Sequence, residues 1–443
     1  MKTLRSILPV IFLLTAALFK GYPQEPWSLE KCVRYALENN IQIKQQQLNS
    51  EYAGNNLLQS KMSLLPTINA SAAQSKSFGR ALDQTTYTFT QNQTITSLSS
   101  SVNANLVVFN GLQKINLIRQ SRFDLMASLQ QLEKLKNDLA LNVAAAYLQI
   151  LFNMELLNSA QQQAEVTRQQ VERTAKLVDA GSLPMGNLLE IQAQHATEEV
   201  QIVNYQNQLD ISYLTLAQLL ELKDTEGFRI EIPDFSDFQF KEVLDPVADI
   251  YQDALRNLPQ IKIAEYQLKS SEAGLSVARG GRSPRLFIAA SYGTGYSDIR
   301  QRIIGTTPQT IPIGATQGGE LVYSQIEQPI YDTYPLKMQL KDNASTTLTF
   351  GLSVPLFNGW SVNTQVSNAR LNVQNARYNL DLSKNLLYKD IQQAHADALA
   401  AVKRYLASEK SLEAQKESFK YVQQKYEVGL VTTVDFNTAK TSL

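Results

Sequence analysis

One cysteine, Cys32, and two histidines, His195 and His395, are all that this 443-residue sequence holds of those types. A disulfide framework is therefore excluded, and no carboxylates gather around the histidines at ligand spacing, so no metal is expected. Cys32 sits in a helical pattern about a dozen residues past an apolar run. It reads as a buried helix cysteine, not as a lipid-attachment site. Net charge is missing too. Lys plus Arg and Asp plus Glu stand at 41 each, which removes the basic field of a nucleic-acid binder and the acidic tail of a solvating segment.

Long hydrophobic runs are scarce. Ile7–Phe19, preceded by Lys2 and Arg5, is too short to cross a bilayer and reads, over residues 1–23, as a signal peptide. No other run approaches the length of a membrane helix, so a membrane-spanning mature chain is expected to cross with strands. The motifs of catalysis are absent as well: no P-loop, no G-x-S-x-G, no H-E-x-x-H. Gly293-Thr294-Gly295 lacks the following helix that a dinucleotide site needs. The sequence predicts neither an enzyme nor a cofactor.

Glycine and proline are missing from two long stretches, and that absence organises the chain. From Leu112 to Ala180 and from Ser361 to Val428 neither residue occurs, so each stretch predicts a helix of roughly 100 Å at 1.5 Å per residue. Ahead of each lies period-2 alternation. Val102, Ala104, Leu106 and Val108 lead to Phe109-Asn110-Gly111, and Leu348, Phe350, Leu352 and Val354 lead through Pro355-Leu356 to Phe357-Asn358-Gly359. The two switches lie 248 residues apart. So do Gly181 and Gly429, which end the helical stretches. Agreement at both ends marks an internal repeat.

The first repeat spans residues 24–222. It starts with a helix over Trp27–Leu65 capped by Ser28, continues with a β-hairpin over 66–109, and ends with a helical hairpin over 111–222. The second spans 246–443: a helix to Arg282, a β-hairpin over 284–357, a long helix over 361–428 and a shortened returning helix. Leu443 maps onto His195, leaving about 27 residues of the return without a counterpart. Residues 223–245, with Phe235, Phe238 and Phe240, read as a linker packed on the helices. The second β-hairpin carries about 30 extra residues, expected to be a surface loop. Leu125, Leu129, Leu132, Leu135, Leu139 and Val143 follow coiled-coil spacing.

Four strands per chain are too few to close a membrane barrel, for which eight is about the minimum. Three copies sharing one barrel of about twelve strands resolve this, with apolar faces toward lipid and Ser, Thr and Asn faces toward water. The fold class expected is mainly α with a membrane β-barrel portion.

The duplicated unit, the Pro355-Leu356-Phe357-Asn358-Gly359 exit and the stretch Tyr426-Glu427-Val428-Gly429-Leu430-Val431-Thr432-Thr433-Val434-Asp435 together resemble the TolC-like outer-membrane efflux proteins. That resemblance covers nearly the whole mature chain. It implies a homotrimer with a twelve-stranded barrel in the cell outer membrane and an α-helical barrel extending into the periplasm. It implies as partners outer-membrane lipid, a periplasmic adaptor and an inner-membrane transporter of an efflux or type I secretion system. By the same resemblance, Tyr426 and Asp435 stand at gate positions, with Asn187 and Glu190 their first-repeat counterparts. Val431 and Thr438 replace the family's gate arginine and second aspartate. Gly181, Ser182, Leu183, Pro184, Met185 and Gly429, Leu430, Val431, Thr432 would meet the adaptor. Two alternatives stand beside these: Asp435 as a plain cap of the returning helix, and the whole protein as an exported periplasmic coiled-coil spacer without a pore.

Overall fold

The structure, a computed structural model, describes residues 26–82, 89–225, 227–234 and 245–442. The signal segment 1–23 and Phe235, Phe238 and Phe240 of the linker lie outside the described residues. In chain order the elements are α1 (Leu29–Asn39), α2 (Ile41–Met62), β1 (Thr67–Leu82), β2 (Phe89–Asn110), α3 (Gln113–Asp179) and α4 (Met185–Leu219). The second repeat gives α5 (Val247–Asn257), α6 (Pro259–Gly280), β3 (Arg285–Ser297), β4 (Gln301–Ala315), β5 (Leu321–Thr333), α7 (Leu336–Asp342), β6 (Ser345–Ser353), α8 (Ser361–Glu427) and α9 (Thr433–Ser442).

The leading helix of each repeat, expected to be continuous, is broken in two. Its parts are 11 and 22 residues long in both repeats. Each break has its own local cause. Asn40 adopts an extended ψ of 129°, and its side-chain oxygen accepts the amides of Gln42 at 2.9 Å and Ile43 at 3.3 Å, so it ends α1 and caps α2. In the second repeat Leu258, with ψ 130°, precedes Pro259. The proline ring disfavours helical geometry in the residue before it and suits the first helical position itself. The two long helices match in the same way, at 67 residues each.

The chain forms two compact units. The one made of residues 54–123 and 269–375 holds a four-stranded antiparallel sheet in the order β1-β2-β3-β6. Register places Leu352 opposite Leu286, Phe350 opposite Ile288, Ile288 opposite Leu106, and Ala104 opposite Ile68, so one face is apolar. Phe350, Leu352 and Ile68 on it are exposed. The other face is polar. Ser71 and Ser101 bond at 3.0 Å, Ser75 and Ser97 at 2.8 Å, and the Ser291 hydroxyl donates to Asn103 at 2.8 Å. The alternation of β2 is interrupted at Val108, which the ladder skips between Val107 and Phe109; this bulge turns Phe109 onto the apolar face.

The insertion in the second hairpin is not a loop. β4 and β5 form a two-stranded ribbon of their own, bringing the chain to six described strands where four were expected. Pro308 and Pro312 in β4 and Pro329 in β5 remove ladder donors, as suits strands with an open edge. Behind the ribbon α7 covers the part of β3 that β6 does not reach. The Gln339 amide nitrogen donates to the Ser297 and Tyr334 carbonyls at 2.9 and 2.7 Å, and its oxygen accepts the Ser297 amide at 3.0 Å. Asn343 donates to the Gly295 carbonyl at 2.6 Å.

The other unit comprises residues 1–53, 124–268 and 376–443, described within the limits above. Its core is a stripe of α3 (Leu139, Val143, Tyr147, Ile150) against Cys32 and Ala36 of α1 and Leu209, Leu216 and Leu220 of the returning segment. One 18-residue window of α3 is apolar enough to cross a membrane by composition, contrary to the sequence expectation. That window is 28% buried, and α3 buries Val143, Tyr147 and Ile150 at helical spacing against protein. Trp27 pairs in parallel with Ile230, and the Tyr147 hydroxyl donates to the Glu231 carbonyl at 2.5 Å and the Trp27 carbonyl at 3.2 Å. The first stretch of the linker is thereby stitched onto the helices.

Candidate functional site

Each long helix ends in the same turn. Gly181 and Gly429 take φ of 72° and 77°, a left-handed conformation that costs glycine least. The following amides reach back five residues: Ser182 to the Leu177 carbonyl and Leu430 to the Lys425 carbonyl, both at 2.8 Å. This is the Schellman closure, which satisfies the last helical carbonyls. Beyond it the two tips differ. At the second, Thr432 and Asp435 cap α9 reciprocally: the Thr432 hydroxyl accepts the Asp435 amide at 3.2 Å while the Asp435 carboxylate accepts the Thr432 amide at 3.2 Å and hydroxyl at 2.8 Å. Those bonds hold the Asp435 carboxyl below its usual range, the hydroxyl contributing most. At the first tip Pro184 takes the cap position and offers no side-chain bond.

Between the tips lies a cavity of about 410 Å³ lined by Gln170, Arg173, Thr174, Asn187, Glu190, Tyr426 and the Val431–Val434 stretch among others. It brings together Tyr426, Asn187 and Glu190, three of the four gate positions expected from the sequence. Asp435 is not among its walls, being engaged in its own cap. Tyr426 stacks on buried Phe436 with centroids 4.7 Å apart, and Arg173 donates to the Glu427 carbonyl at 3.1 Å, tying α3 to the end of α8. Buried Gln170 keeps an unpartnered side-chain oxygen. Of the expected adaptor-contacting residues, Leu430 at 74% and Met185 at 56% are exposed apolar side chains, while Leu183 and Val431 are half-buried in the cavity wall.

Sequence reasoning missed the most buried polar cluster near the tips. Lys440 of α9 is 6% exposed, and its ammonium donates to Glu198 of α4 at 3.1 and 3.3 Å, to the Gln163 carbonyl of α3 at 2.6 Å and to the Thr167 hydroxyl. Burial pushes the Lys440 pKa down, and the Glu198 carboxylate pulls it back up. The signal was readable: Thr433, Phe436 and Lys440 share one face at helical spacing, and a lysine on that face demands a buried partner.

The strand-to-helix turns belong to the other unit. In both, two successive residues are left-handed: Gly111 and Leu112 at 65° and 62°, Gly359 and Trp360 at 62° and 70°. Only the first is crowded. A Cβ on Gly111 would lie 2.4 Å from the Gly280 carbonyl oxygen, whereas one on Gly359 would meet nothing within 4 Å. Phe109 and Asn110 close β2, while Pro355, Phe357 and Asn358 follow the end of β6 in an irregular segment. Among the described residues no group of three or more His, Cys, Asp and Glu could hold a metal ion.

Against known proteins, the family described as outer membrane efflux protein matches residues 33–221 and 250–443. The chain belongs to that family. As a member of the outer membrane efflux proteins it is an outer-membrane protein extending into the periplasm. It is 22% identical over 316 residues to the outer membrane protein TolC of Escherichia coli and 22% over 312 residues to that of Salmonella enteritidis; each alignment covers 69% of this chain. The chain spans little more than half the length of these relatives, 56% and 55%. Its fold is shared with CusC (TM-score 0.76, 16% identity, 96% of this chain and 90% of that one) and with VceC of Vibrio cholerae (0.75, 14%, 94% and 89%). The CmeC outer membrane channel of Campylobacter jejuni shares it as well (0.74, 16%, 94% and 79%).

Proposed function

We propose that this outer membrane efflux protein is a trimeric exit duct of a tripartite efflux or type I secretion system, a passive conduit gated at its helical tips. One observation carries the reading. The β1-β2-β3-β6 sheet has an exposed apolar face, a polar face, and two outer strands, β1 and β6, with no further strand partner among the described residues. Such a sheet in lipid must find its missing ladder bonds in other copies, because the bilayer core offers no water to satisfy an open edge. Three copies supply twelve strands, with the serine and asparagine faces turned to an aqueous lumen. The channel description borne by CmeC supports the same reading.

In this proposal exposed Met185 and Leu430, beside half-buried Leu183 and Val431, meet a periplasmic adaptor, and an inner-membrane transporter supplies the energy. Asn187, Glu190 and Tyr426 line the entrance. Asp435 acts there through the α9 cap. The test is direct. Detergent-extracted protein should have the mass of three chains and conduct in discrete steps in planar bilayers. A protein that carbonate washes from the membrane, or that stays monomeric and never conducts, would be the pore-free periplasmic spacer instead.

A further inference from the structure

All four strands of the β1-β2-β3-β6 sheet meet their helices at one end: α2 leads into β1 and α6 into β3, while β2 and β6 lead out toward α3 and α8. In the proposed duct that end faces the periplasm. The opposite end, where β3 stops at Ser297 and β6 starts at Ser345, is then the outer one. Alternation fixes what each row presents there. On the apolar face β3 carries Leu286, Ile288, Ala290 and Tyr292, then Thr294 and Tyr296, which stand opposite Ser100 and Leu98 of β2. The pairing of β3 with the 9-residue β6 runs from Arg285 to Gly293 and matches the roughly 9–11 residues with which a tilted strand crosses a bilayer. The lipid band thus ends near Tyr292. Thr294 and Tyr296 lie at its outer polar boundary, where barrels gather aromatic side chains.

α7 is fastened at this boundary from the lipid side. The Thr294 hydroxyl, on the apolar face, donates to the Leu340 carbonyl of α7 at 2.6 Å. Gln339 spends its buried side chain on Ser297, whereas Lys337 and Lys341, four residues apart and so on one helical face, are both exposed. Leu336 and Met338 beside them are exposed at 46% and 40%. The carboxylates at this end of the sheet already have partners. Asp342 accepts the Tyr334 hydroxyl at 2.6 Å, Asp332 pairs with Arg302 at 3.1 Å, and Asp298 accepts the Thr96 amide at 3.0 Å. Lys337 and Lys341, and Lys76 on the apolar-side face of β1 opposite Thr96, enter none of the ion pairs among the described residues. Two cations on one side of a helix, apolar side chains next to them and a tie to the lipid face suit an interfacial segment, whose lysine stems stay on apolar surface while the ammonium groups reach headgroups. We infer that α7 is an interfacial anchor whose Lys337 and Lys341, with Lys76 along the same face, bind the anionic phosphate of outer-leaflet lipid headgroups.

This inference rests on the membrane-barrel part of the duct reading, so its test measures lipid binding and conduction separately. Detergent-extracted full-length protein is titrated with phosphatidylglycerol, phosphatidylcholine or inorganic phosphate. Bound lipid is counted by native mass spectrometry, amide exchange of residues 336–342 is followed, and conduction is recorded in planar bilayers. The variants are Lys337→Gln/Lys341→Gln and Lys337→Arg/Lys341→Arg. Wild type should retain phosphatidylglycerol in preference to phosphatidylcholine, and its α7 amides should exchange severalfold more slowly with that lipid bound. The glutamine pair should bind phosphatidylglycerol about 10- to 30-fold more weakly, the loss expected for two lysines near an anionic surface, and the arginine pair should bind it as wild type does. Both variants should conduct normally. Equal retention by the glutamine pair, or no preference in a conducting wild type, would overturn the anchor, reduce α7 to a cover for the edge of β3 and leave the duct intact. Slowed exchange with inorganic phosphate alone would mark a free-anion site and overturn lipid as the occupant. A wild-type protein that retains no lipid and never conducts would overturn the duct and the anchor with it.

Discussion

The Asp435 carboxylate lies 2.8 Å from the Thr432 hydroxyl and accepts the Thr432 amide as well, so this acidic residue beyond the second tip is bound to its own helix end. Its pKa is lowered by those bonds. A depressed folded value means that the cap contributes its full stability above the ordinary aspartate value near 4 and loses it as pH falls through the lowered one. The protection of amides 433–436, taken relative to their intrinsic exchange at each pH, should therefore hold from neutral pH down to about 4 and fall below it. Thr432→Val should move the Asp435 titration upward by NMR and fray the first turn at every pH.

The strand-to-helix turns should respond unequally to the same substitution. Gly359→Ala meets only its left-handed backbone, a cost of about 1–2 kcal/mol. Gly111→Ala adds a collision with the Gly280 carbonyl and should cost clearly more. Thermal midpoints of the two variants in detergent check the order; equal midpoints would mean that the first turn yields freely.

Asn40→Ala should destabilise the protein by about 1 kcal/mol, the usual loss of a helix cap. Pro259→Ala, at the equivalent break, should cost only about 0.5 kcal/mol, because its effect runs through the unfolded chain. Denaturant midpoints of the two variants measure the difference.

Cys32 is fully buried, and burial pushes its thiol up to about 11, against a small lowering by the Lys31 charge. Native protein at pH 8 should resist a thiol reagent and react fully in denaturant. Modification of the folded protein on the scale of seconds would show that the α1–α3 contact opens freely.

Much of this architecture was legible because the repeat is strict. The offset of 248 read from Gly181 and Gly429 carries Gln113 onto Ser361 and Met185 onto Thr433, the first residues of the corresponding helices. The strand faces were legible because side chains alternate without regard to what they meet. The break at Asn40 was hidden, since an asparagine inside a polar helix looks like any solvated position until its side chain is seen holding the next amides. The β4–β5 ribbon was hidden by Pro308, Pro312 and Pro329, which normally argue against strands and here sit on two strands whose outer sides need no donor. At the tips, Asn187, Glu190 and Tyr426 of the cavity wall were among the positions named from the resemblance, whereas Gln170, Arg173 and Thr174 were not; the partner of Lys440 lies 242 positions away, and only packing reveals such a pair.

At the end of β3 a side chain stands in for a missing strand. Gln339 presents Ser297 with a donor and an acceptor side by side, which among side chains of that length only a carboxamide does. Glutamate could take the amide proton but would turn a second oxygen toward the Ser297 carbonyl, and lysine could satisfy the carbonyl but repel the amide. Where the ladder to β6 ends at Gly293, the carboxamides of Gln339 and Asn343 take over the edge of β3, and the sheet keeps its remaining open bonds for β1 and β6.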